Sequence, residues 1–117
     1  MIEMKIPYFD VTKTIPVRQL VPFGKYPDGK PILWALVIGD RGTKSIFHFE
    51  TGTPFIDRVN MTKADAVNTM ADRLERIGIR TTLKAIATHP LLNKVPRRIK
   101  MYVYPLASWE HSFMRKT

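Results

Sequence analysis

Arg98, Lys100, Tyr102 and Tyr104 alternate with Ile99, Met101 and Val103 near the end of the chain. In an extended strand, such alternation sends the apolar set to one face and the cationic and aromatic set to the other. Ammonium and guanidinium groups neutralise phosphates, and tyrosine rings offer flat faces to unstacked bases, so this pattern suits a nucleic-acid surface. The structural alternative is a solvated strand, because tyrosine favours strands and alternating Lys/Arg protects exposed edges.

A second row stands earlier in the sequence. Residues 79–85 (IRTTLKA) alternate in the same way and are rich in β-branched side chains, which favours a strand over a short helix ending at His89-Pro90. If this segment pairs antiparallel with residues 98–104, Arg80, Thr82 and Lys84 join Arg98, Lys100, Tyr102 and Tyr104 on one surface. If it is a helix, the two-row surface disappears. Lys94 and Arg97 lie in and beside the connection, so the candidate nucleic-acid-binding residues are Arg80, Lys84, Lys94, Arg97, Arg98, Lys100, Tyr102 and Tyr104. Such a sheet face suits single-stranded DNA or RNA better than a duplex major groove, which admits a helix or a narrow ribbon.

Other chemistry finds less support. His48, His89 and His111 lack the short spacings of a metal pair, and His48 alternates with Phe47 and Phe49 as a packed histidine would. Asp40, Glu50 and Asp57 would have to meet near strand ends to serve a metal-dependent nuclease, and Asp40 and Asp57 are more simply turn residues. Ser45, Ser108 and Ser112 have no nucleophile-elbow context, and the Gly39–Gly42 turn opens no phosphate-cradling helix. With no cysteine in the chain, disulfides, thiol nucleophiles and thiolate zinc sites are excluded. No catalytic residue, metal or cofactor is assigned.

The charge balance points the same way as the alternating strand. The net charge is +9, and from Arg80 onward eight Lys/Arg face the single acid Glu110. A polyanionic partner follows: nucleic acid first, and second an acidic protein surface on which a viral or plasmid accessory inhibitor would dock. In that second case Tyr102 and Trp109 would be the anchors. No apolar run approaches the ~20 residues that span a bilayer, and the first ten residues have no secretory h-region. Together with the missing cysteines, this gives the expectation of an intracellular, cytoplasmic protein.

The elements that must position these residues are legible in outline. Residues 2–8 alternate as a strand, placed at a sheet edge by Pro7; residues 10–14 read as a turn, and 17–23 as a second extended piece. Pro27-Asp28-Gly29 is a tight turn into residues 32–38, apolar on both faces and therefore a central strand. Residues 44–50 return as its partner, and 51–60 read as loop. Thr62 caps a helix over 63–77 with the stripe Val67, Met70, Ala71, Leu74 and Ile77, stopped by Gly78. The predicted fold is α+β: an antiparallel meander of three to four strands, one main helix on one face, then a strand pair. One domain is expected over all 117 residues, with 106–117 expected to be a partly frayed tail. Self-association through an unpaired sheet edge is open to it.

Overall fold

The computed structural model describes residues 2–96. The predicted strand over 97–104 and the tail 106–117 lie outside the described residues.

The fold is α+β, built as three layers around a four-stranded antiparallel meander. A hairpin of β1 (Ile2–Tyr8) and β2 (Val11–Val17) precedes the meander of β3 (Gln19–Lys25), β4 (Pro31–Ile38), β5 (Lys44–His48) and β6 (Thr53–Val59). Two helices follow, α1 (Lys63–Ile77) and α2 (Ile79–Ile86). The central strand β4 explains the layering. Ile32, Trp34 and Leu36 face a core shared with Val67, Met70, Ala71 and Leu74 of α1. Leu33, Ala35 and Val37 face the opposite core, shared with Met4, Val17 and Leu20 and closed by the hairpin. A strand buried on both sides must be apolar at every position, and PILWALVI is.

The helix α1 forms where its local signals place it. The Thr62 hydroxyl accepts from the Asp65 amide at 3.1 Å, and Gly78 ends the helix with φ 95° while its amide donates to the Leu74 carbonyl. The sheet-facing stripe Ala66, Val67, Met70, Ala71 and Leu74 is fully buried.

Four segments differ from the sequence expectation. Residues 11–14 are not a turn: only Phe9 and Asp10 turn, and the β-branched run that follows pairs with β1 along its whole length. The extended piece read over 17–23 is broken at Arg18, where the chain leaves the hairpin for the meander. Residues 53–59 are strand rather than loop. Pro54 is tolerated because β6 is an edge, and two register shifts against β5 erase its period-two pattern.

The fourth difference bears on function. Residues 79–86 are helix, not strand, so the predicted pairing of 79–85 with 98–104 does not form. Thr82 and Ile86 are buried and Ile79 and Leu83 pack on the α1 core, which is the i, i+3, i+4, i+7 spacing of an amphipathic helix. Gly24 admits α2: an added Cβ there would stand 2.9 Å from the Ile79 Cδ1.

Candidate nucleic-acid interface

Of the eight residues assigned from sequence, the structure describes Arg80, Lys84 and Lys94; Arg97, Arg98, Lys100, Tyr102 and Tyr104 lie outside the described residues. Arg80 and Lys84 are exposed one turn apart on α2, on the face opposite Thr82 and Ile86. They therefore form a cationic edge of a helix and not a row on a sheet. Arg73 and Arg76 are exposed on the last turns of α1, where Asp72 and Glu75 partly balance them. The sequence of α2 contains no acid.

Both faces of the meander are covered, one by the helices and one by the hairpin. Among the described residues, the central strand β4 is buried on both sides and offers no open face where bases could stack. The combination of cations and exposed rings occurs instead at the end of the β1–β2 hairpin. The inward face of that hairpin runs through the rungs Ile2/Val17, Met4/Ile15, Ile6/Lys13 and Tyr8/Val11. Met4 and Val17 are buried, while Tyr8 and Val11 have passed the end of the sheet and are 49% and 62% exposed. Phe9, in the turn, is 88% exposed. The Tyr8 and Phe9 rings meet edge-on at 4.8 Å, and the Lys13 ammonium lies 5.2 Å from the Tyr8 ring centre. Sequence reading missed this site. Adjacent aromatics beside a turn were its only signal, because exposure depends on how far the hairpin outruns the sheet.

Lys94 is held against the same hairpin. The Asn93 side chain accepts from the Lys5 amide at 2.7 Å and donates to the Lys5 carbonyl at 2.9 Å, acting as a one-residue strand partner. It also donates to the Phe49 carbonyl at 2.7 Å, and the Leu92 and Asn93 amides donate to the Glu50 carbonyl. Lys5 thus turns its amide and carbonyl away from β2, and Pro7 and Pro16 occupy rungs of the same parity, where no ladder bond is lost. At Lys5, the β1 edge that the sequence offers for self-association is capped.

The histidine expectation resolves into packing. His48 is 2% exposed against the Trp34 ring, with its Nε2 2.7 Å from the Tyr26 hydroxyl and its Nδ1 2.8 Å from Thr51 Oγ1. Burial lowers its pKa to about 4, so it is neutral at pH 7. Burial also raises the pKa of Tyr26, followed by its hydrogen bond to the Glu50 carboxylate and the charge of that group. Tyr26 and Thr51 thus supply hydrogen-bond partners to the two ring nitrogens of His48. Every polar atom of the imidazole is used.

Asp40 and Glu50 do not meet. They flank the two ends of β5, a five-residue strand spanning roughly 16 Å. Among the described residues, no three His, Asp or Glu side chains come together as metal ligands. No helix among them is long and apolar enough to cross a membrane. The chain matches no protein-family model, no curated protein and no solved structure.

Proposed function

We propose that the protein binds nucleic acid, with single-stranded DNA or RNA preferred over duplex, mainly through electrostatic attraction. The observation that carries this reading is the segregation of charge. From Arg76 to Trp109 the chain contains no acidic residue, and Arg80, Lys84 and Lys94 in that stretch are exposed. Among the described residues, the one ion pair is the exposed neighbour contact Asp57–Arg58 at 3.5 Å, which leaves these cations available to phosphates. The amphipathic α2 supports the preference for single strands. At eight residues, with two cations on its exposed face, it suits phosphate contacts along a flexible strand better than base readout in a major groove.

Fluorescence anisotropy with labelled single- and double-stranded oligonucleotides at two salt concentrations tests this directly. Affinity for the single strand should be higher and should fall steeply with salt. Binding that ignores salt, or no binding at all, refutes the proposal. An acidic protein partner would instead appear as a stoichiometric companion retained after nuclease treatment of a lysate.

A further inference from the structure

We infer that the tip of the β1–β2 hairpin is a stacking site for unpaired nucleobases, with Phe9 as its principal ring and Lys5, Lys13 and Lys94 as the flanking phosphate contacts. This rests on the nucleic-acid reading above and extends it, Lys94 apart, to residues that the sequence did not single out.

The fold does not explain Phe9. The two-residue turn Phe9-Asp10 requires φ 56° at Phe9, a conformation that glycine or asparagine adopts at lower cost and in which a bulky ring is unfavourable by ~1–2 kcal/mol. The ring gains only its edge contact with Tyr8 in return, since 88% of the residue remains in water. A strained and exposed aromatic at the apex of an arm is a contact residue in want of a partner. Its neighbours say which partner. The Tyr8 ring meets Phe9 edge-on and has the Lys13 ammonium near it, which leaves the Phe9 ring as the free stacking surface.

The cations are placed for phosphates on either side of a stacked base. Lys13 stands three residues from the turn on β2, and Lys5 lies on β1 facing outward. Lys94 is brought to the hairpin because Asn93 bonds both backbone groups of Lys5. Lys5 is three residues from Tyr8, roughly 10 Å along the strand. Two carboxylates share the hairpin: Glu3 near its base and Asp10 in the turn itself. Asp10 disfavours a phosphate at the apex, so the backbone of the ligand would run along the lysine flanks while a base meets Phe9.

The test compares wild type, Phe9→Ala and Phe9→Trp against oligothymidylate across a salt series, with circular dichroism as the folding control. Phe9 touches neither core, so both variants should fold as wild type does. Phe9→Ala should weaken binding by about five- to hundredfold, the loss of one stacked base, with the slope against salt unchanged. Phe9→Trp should restore affinity, and its indole emission should be quenched by the bound oligonucleotide. Equal affinity of Phe9→Ala and wild type overturns the stacking site while leaving salt-dependent binding standing. Failure of wild type to bind overturns both. Unquenched tryptophan emission with a Phe9-dependent affinity for polyglutamate shows that the arm takes an acidic peptide, and overturns the nucleobase assignment.

Discussion

Gly52→Ala tests the three-layer architecture at the point where the hairpin meets the meander. Gly52 has φ 71°, and an added Cβ would stand 2.5 Å from the Lys5 carbonyl oxygen, 2.9 Å from Ile6 Cα and 3.2 Å from Pro7 Cδ. Two of these are β1 backbone atoms, which cannot swing aside as a side chain would. The left-handed backbone alone costs ~1–2 kcal/mol for alanine. Relieving the overlap by shifting β1 adds ~1–3 kcal/mol. It also strains the two Asn93 bonds to Lys5, each worth ~0.5–1.5 kcal/mol. The expected total is ~3–5 kcal/mol. Gly29 supplies the control, because its φ is 87° and nothing lies within 4 Å of an added Cβ. Gly29→Ala should therefore cost only the backbone component, ~1–2 kcal/mol. Urea unfolding followed by tryptophan fluorescence measures both. Losses equal within ~0.5 kcal/mol would refute the close packing of the β5–β6 turn against β1, and with it the hairpin as a docked third layer.

Two further outcomes follow from the core. His48 has its pKa lowered from 6.5 to about 4 by burial, so both folded and unfolded states carry it neutral at pH 7. As pH falls through 6.5 the unfolded chain takes up a proton that the folded state refuses, and stability drops by ~3 kcal/mol by pH 4. His48→Gln should be less stable than wild type at pH 7 and should lack this component, so the gap between the two narrows on acidification; a constant gap in urea midpoints from pH 7 to pH 4 contradicts the burial account. Leu74→Ala empties a fully buried site between α1 and the meander and should cost ~2–5 kcal/mol by the same assay, whereas a loss under ~1 kcal/mol would mean that α1 does not pack there.

What was legible in the sequence depended on whether the deciding contacts were local. Helix α1 carries its own start, stripe and stop in Thr62, Val67–Leu74 and Gly78, and it forms over Lys63–Ile77 as those signals indicate. Strand β4 is apolar at every position, so its burial on two faces could be read without knowing what covers it. Residues 79–86 fit both periods: Ile79, Thr81, Leu83 and Ala85 alternate, while Ile79, Thr82, Leu83 and Ile86 make a helical stripe. The choice is made by tertiary packing, with Ile79 against Gly24 and Leu83 on the α1 core, and no local signal announces it. In β6 the register shifts against β5 scramble the alternation that would have marked a strand. Arg80 and Lys84 were placed on a strand row that does not form, yet their exposure, like that of Lys94, was legible, because charged side chains stay in water whichever element carries them. The Tyr8–Phe9 tip was not, because the residues of an arm that overhangs look the same in sequence as those of an arm that docks.

The central claim is that cations on α2 meet phosphates. The most direct measurement is the slope of log affinity against log salt for wild type and for the double variant Arg80→Gln/Lys84→Gln, with one single-stranded oligonucleotide. Two lost phosphate contacts should flatten the slope by about 1.4 and weaken binding most at low salt. An unchanged slope, with affinity intact at every salt concentration, would contradict the assignment of α2 to the interface.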